Sequence, residues 1–143
     1  MKKLLSASPL HLEKTLLFLR IAIGVMTAYH GLEVFDPEKM AGYAVWDSFS
    51  HFSAPLLPVY VGKSGELFSG LLLTAGLLTR AAALVLVFTM SYIVFFIGQG
   101  RVWYEEQHPF LFLLFGVLFF FAGGGKWSAD RLLFDRTSSN FTS

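Results

Sequence analysis

Cysteine is absent from the 143-residue chain, which excludes disulfide relay chemistry, thiolate catalysis by this chain alone, and zinc or iron–sulfur sites held by cysteine. Charge is scarce as well. Only 15% of the residues are Asp, Glu, Lys or Arg while 55% are hydrophobic, a balance too apolar for a soluble domain of this size. The net charge of +1 gives no argument for nucleic acid as a partner. The apolar core of a signal peptide is missing too, because Pro9, His11, Glu13 and Lys14 follow Met1-Lys2-Lys3 and no small-residue cleavage pattern comes next. The expectation is a retained N-terminus whose first span acts as its own signal.

What the chain has in quantity suits lipid. Sixteen Phe and thirteen Gly fit membrane helices, in which Phe is at home and Gly is better tolerated than in soluble ones. About 20 mostly apolar residues cross about 30 Å of hydrocarbon, and four segments qualify, at about 16–35, 59–79, 81–98 and 109–125. The fold expected is therefore all-α: one integral membrane domain over residues 1–143, built as a four-helix bundle in a lipid bilayer, with a tail from 126 to 143 that is polar and frayed beyond Arg131. The link Leu78-Thr79-Arg80 is short enough to force an antiparallel hairpin. The first connection, from Asp36 to Pro58 with Trp46, His51 and Pro55, has room for a small interfacial helix.

Orientation follows from the basic residues near the span ends. With both ends inside, the inner face collects Lys2, Lys3, Lys14, Arg80, Lys126, Arg131 and Arg136, and the outer face only Lys39, Lys63 and Arg101. The outer loops hold Asp36, Glu38, Asp47, Glu105 and Glu106. Both termini are expected in the cytoplasm, in a multi-pass chain.

An ionisable group inside a span is expensive, so each is a functional hypothesis that needs a partner. At a rise of about 1.5 Å per residue, His30 and Glu66 both lie about 21 Å above the inner boundary, and Glu33 and His108 about 26 Å above it. His30 and Glu33, three apart, share a face of the first helix. Glu66 lies in Gly65-Glu66-Leu67-Phe68-Ser69-Gly70, whose small residues permit close helix approach. Imidazole and carboxyl at equal depth predict His30 paired with Glu66 and Glu33 paired with His108. One reading makes these pairs helix glue; the other makes His30 and Glu66 a proton-handling centre, with Glu33, His108, Tyr92 and Glu105 around a ligand.

A metal centre is a further alternative, since His30-x-x-Glu33, Glu66 and Glu105-x-x-His108 resemble the carboxylate and imidazole sets of metal-binding bundles. The third helix adds only Tyr92, Ser91 and Gln99, and Pro109 starts the fourth helix near His108, leaving Glu105 in a loop. Metal is accordingly not expected. Arg20, about 6 Å above the inner boundary, is expected to snorkel to water or to reach Asp130 as a structural anchor. Gly123-Gly124-Gly125 should stop the last span, with a helix restarting beyond it; those glycines lack the Lys-Ser/Thr context of a nucleotide loop. His11 and His51 lie outside the spans with no evident partners.

These landmarks together resemble the DoxX family of small bacterial membrane proteins. The resemblance rests on Arg20-Ile21-Ala22-Ile23-Gly24 with His30-Gly31, on Gly65-Glu66-Leu67-Phe68-Ser69-Gly70 running to Gly76-Leu77-Leu78-Thr79-Arg80, and on Gly123-Gly124-Gly125-Lys126-Trp127-Ser128-Ala129-Asp130. The family pattern touches His30, Glu66, Arg80 and Asp130. It implies a four-helix inner-membrane protein in a family named for a subunit linked to quinol oxidation and thiosulfate:quinone oxidoreductase activity. A quinone is thus the implied ligand, with no cofactor held by the chain itself. A redox partner protein is the implied companion besides the bilayer, and homo-oligomerisation stays open. The competing reading is a non-enzymatic membrane scaffold or small-solute carrier.

Overall fold

The computed structural model describes residues 10–135, and all its regular structure is helical. Helix α1 (Leu12–Gly31) continues as a 3-10 turn over Leu32–Phe35. After α2 (Pro37–Ala44) and a short 3-10 turn (Asp47–Phe49) come α3 (Leu56–Ala75) and α4 (Thr79–Tyr92), which widens into a π-helical turn over Ile93–Ile97. Helix α5 (Gln107–Ala122) and a last π turn (Arg131–Asp135) follow. The segment Arg131–Asp135, expected frayed, is thus helical, while residues 136–143 and the lysines at 2 and 3 lie outside the described residues.

Two helices, Leu12–Phe35 and Thr79–Ile97, are long and apolar enough to cross a membrane, and Gln107–Ala122 is apolar but shorter. Phe18, Phe88 and Phe121 are each at least 69% exposed, a surface that hydrocarbon rather than water would cover.

The bundle is ordered by close approach. α1 lies along α3, and α4 lies between α3 and α5. A Cβ on Gly31 would fall 2.2 Å from the Leu67 amide nitrogen, and one on Gly70 2.3 Å from that of Ala28, so the α1–α3 contact exists because these positions carry no side chain. Ile23, Leu73, Ala82, Ala83, Leu86, Met90, Phe112 and Phe119 form the main apolar core. A smaller cluster of Met40, Phe49 and Val59 holds the connection after α1 onto α3.

The turn from α3 to α4 is Gly76-Leu77-Leu78. Gly76 adopts φ 67°, and the Leu77 amide reaches the Leu72 carbonyl at 3.0 Å while that of Gly76 reaches Leu73 at 3.1 Å, the αL ending that glycine makes at least cost. Arg20 is 2% exposed and does not snorkel. Its guanidinium instead donates to the Leu73 carbonyl at 2.7 Å and to the Trp127 carbonyl at 2.8 Å, tying the end of α3 to the segment after α5. Asp130 completes the joint from the other side: its carboxylate accepts the amides of Leu78 and, at 2.8 Å, Thr79, capping α4.

Candidate functional site

At the opposite end of the bundle, Asp36 sets the geometry. Its carboxylate accepts the amides of Glu38 at 3.1 Å and Lys39 at 3.2 Å, and Pro37 occupies the first helical position of α2, a start that capping chemistry favours. Lys39 and Tyr43, four residues apart, then face the same way. Lys39 Nζ meets Glu33 Oε1 at 3.0 Å, and the Tyr43 hydroxyl donates to Glu33 Oε2 at 2.8 Å.

Lys63 is the centre of the cluster. From α3 its ammonium lies 2.9 Å from Glu33 Oε2 and 3.0 Å from Glu66 Oε2, 5.2 Å from the centroid of the Tyr43 ring, and within 3.5 Å of the His30 carbonyl. One cation thereby joins the end of α1, α2 and α3. The Lys63 side chain is 15% exposed and that of Glu66 5%, so each charge depends on the other for its compensation.

The expected pairs of His30 with Glu66 and Glu33 with His108 are not formed. Both carboxylates go to Lys63, and the two imidazoles go to each other, edge-on at 5.4 Å between ring centroids. His108 is exposed and also packs on Phe112 at 4.5 Å. Equal height on two helices does not imply a shared face, and Lys63, three residues before Glu66 on the same helix, reaches both carboxylates. Glu105 stands apart in the loop before α5, 3.3 Å from Arg101. Among the described residues no three His, Asp or Glu side chains converge as a metal ion would require, so the alternative set of His30, Glu33, Glu66, Glu105 and His108 is not assembled.

Lys63 and Glu66 form part of the wall of a cavity of about 590 Å³. Trp46, Phe49, Phe52, Phe88 and Tyr92 supply most of its aromatic lining. Tyr92 stands where α4 passes into the π turn, and Ile93 and Ile97 of that turn also line the space; π turns inside α-helices often accompany functional sites. Thr89 and Glu106 add polar atoms. Gly62 opens the wall further, since a Cβ there would meet nothing within 4 Å. An apolar chamber of this size with a few convergent polar groups has the character of a small-molecule site.

Outside the spans, burial holds the Tyr43 phenol above its ordinary pKa, and the bond to Glu33 adds to this. Burial likewise raises the Glu106 carboxyl, with Glu105 contributing. The bond to Glu33 raises Lys39.

Of the residues singled out in the sequence, Glu66 and Tyr92 line the cavity, Glu33 reaches it through Lys63 and Tyr43, and His30 offers the cluster only its carbonyl. Lys63, Tyr43 and Glu106 were not among them. The spacing of Lys63 three residues before Glu66 is the signal that marks it, because such neighbours share a helix face.

The sequence model of the DoxX family matches residues 15–99, which take in Glu33, Lys63, Glu66 and Tyr92 but not His108 or Asp130. An uncharacterized protein of Haemophilus influenzae is 32% identical over 132 residues, covering 85% of this chain and 92% of that protein. No solved structure matches the chain.

Proposed function

This chain belongs to the DoxX family, and we propose that it is a four-span, multi-pass protein of the bacterial inner membrane, both ends inside, that binds a quinone in its outer half. The observation that carries this reading is the aromatic cavity of about 590 Å³ with the Lys63–Glu66 pair in its wall. A quinone head is a flat apolar ring with carbonyl oxygens, and its tail is a hydrocarbon. Phe88, Phe49 and Trp46 suit the ring, the Lys63 ammonium suits a ring carbonyl as a charge-assisted donor, and lipid outside the bundle suits the tail.

The chain has no redox centre of its own in this reading. Electrons come from a partner redox protein, and each quinone reduced to quinol takes up two electrons and two protons. Lys63 stabilises the negative charge that develops on the ring oxygen. Glu66 and Glu33, bridged by Lys63, hold protons and pass them to the ring from the outer surface, where Lys39 and the exposed His108 lie. His30 lies beside that route. Arg20 and Asp130 serve the fold at the other end.

A second reading is supported by the same cluster. Glu33, Lys63 and Glu66 satisfy one another so fully that they would serve equally as the lock of a non-enzymatic scaffold or carrier. The two readings part on one experiment: solvent extraction of protein purified from native membranes, followed by mass spectrometry. Near-stoichiometric quinone supports the redox subunit, and a colourless, quinone-free protein with an intact fold supports the scaffold.

A further inference from the structure

The end of the bundle opposite the aromatic cavity holds a second cavity, of about 500 Å³, between the start of α4 and the glycine loop after α5. Its charged lining is Arg80, Arg131 and Asp130. Asp130 is committed to the amides of Leu78 and Thr79 and is also balanced by Arg20 behind it. The two arginines are different: among the described residues neither guanidinium has a carboxylate partner, and both are exposed.

The loop passes beside Arg80, with Gly123 and Gly125 both at φ 72°, a backbone conformation that favours glycine. The amides of Gly124 and Gly125 donate to no described carbonyl, and on the far side of the loop Glu13 accepts the Lys126 amide at 3.0 Å. The rim is apolar: Leu78 is 49% exposed and Phe134 56%. Guanidinium forks suit a phosphate bidentately. An apolar rim at the end of two membrane helices suits acyl chains.

We propose that Arg80, Arg131 and the Gly123–Gly125 loop bind the phosphate of an anionic phospholipid head group, with the acyl chains lying against Leu78 and Phe134. The shared chemistry is a phosphate ester, and the apolar rim selects its lipid form over free phosphate. If this end faces the cytoplasm, as the excess of basic side chains implies, it meets the leaflet whose surface is negative. The site is separate from the outer cavity, and its success or failure leaves the quinone reading untouched.

Native mass spectrometry of the full chain released from detergent, with added phosphatidylglycerol or phosphatidylcholine, tests the assignment. The wild type should prefer phosphatidylglycerol by about tenfold or more, the share expected of two basic side chains at a lipid surface. The Arg80→Gln/Arg131→Gln variant should lose that preference with an unchanged melting temperature, and Arg131→Gln alone should lose part of it. Lys126→Gln, an exposed charge on the same face outside the cavity lining, should keep it. The proposal is overturned if the double variant binds phosphatidylglycerol as the wild type does, or if Lys126→Gln loses as much as the double variant. It is also overturned if millimolar inorganic phosphate abolishes the preference, which would make free phosphate the ligand.

Discussion

Lys63 stands one helical turn before Glu66 on α3, and its ammonium lies 3.0 Å from the Glu66 carboxylate while also reaching Glu33 at 2.9 Å. A single cation therefore bridges two carboxylates that would otherwise repel each other in a poorly hydrated place, and Lys39, 3.0 Å from Glu33, supplies the second positive charge. The arrangement makes Lys63 the residue whose loss is felt most at this end.

Lys63→Met should destabilise the protein by about 3–5 kcal/mol, since it leaves buried carboxylate without compensation. Adding Glu66→Gln to Lys63→Met should recover a large part of that loss, because only Glu33 then remains charged and Lys39 still pairs with it. Thermal melts of the four proteins in one detergent give the coupling. Equal, additive losses would mean that the ion pair carries no weight.

At the other end, Gly76→Ala should be costly for two reasons. The backbone φ of 67° disfavours any residue with a Cβ, by about 1–2 kcal/mol. The new methyl would also sit 2.0 Å from Arg20 Nη1, displacing the group that satisfies the Leu73 carbonyl. Arg20→Lys on its own should cost less than Gly76→Ala, because an ammonium can still reach one of the two carbonyls. Asp130→Ala should remove the α4 cap at about 1 kcal/mol and speed hydrogen exchange at Leu78 and Thr79 specifically. Unchanged exchange there would show that the cap is not needed.

The sequence made the helices readable and their faces less so. Helices lie where spans were expected at 16–35, 59–79, 81–98 and 109–125, because apolar runs bounded by Pro37, Gly76 and Gly123 fix position along the axis. Two of them, Leu12–Phe35 and Thr79–Ile97, are long and apolar enough to cross a membrane. The first connection, expected to have room for a small helix, holds α2. Depth, however, is only one coordinate. His30 and Glu66 have matching heights, yet Glu66 turns to Lys63 and His30 to His108, a choice of azimuth that the Gly31–Leu67 contact sets and periodicity alone does not reveal. Arg20 was legible as an anchor, but its real partners are backbone carbonyls, which no side-chain pattern records.

Glu106 gives a pH signature. Burial raises its carboxyl in the folded protein, so the native state binds a proton more readily than the unfolded chain. Linkage then makes its contribution favourable at low pH and lost as pH rises through the ordinary carboxylate range toward the raised value. The melting temperature of Glu106→Gln should therefore gain on that of the wild type between about pH 3.5 and about pH 7. A difference that does not change with pH would contradict the burial of this group.

The central claim is that the aromatic cavity beside Lys63 and Glu66 binds a quinone, and Gly62 tests it most directly because it borders the cavity with open space around it. Decylubiquinone titrated into the protein in lipid nanodiscs should quench the fluorescence of Trp46, a lining residue, to saturation. Gly62→Leu, whose Cβ has open space around it and whose branched end adds bulk at the cavity wall, should keep the wild-type melting temperature and lose the saturable phase. A well-folded Gly62→Leu protein that is quenched with the same affinity as the wild type, or a wild type with no saturable phase, would contradict the account.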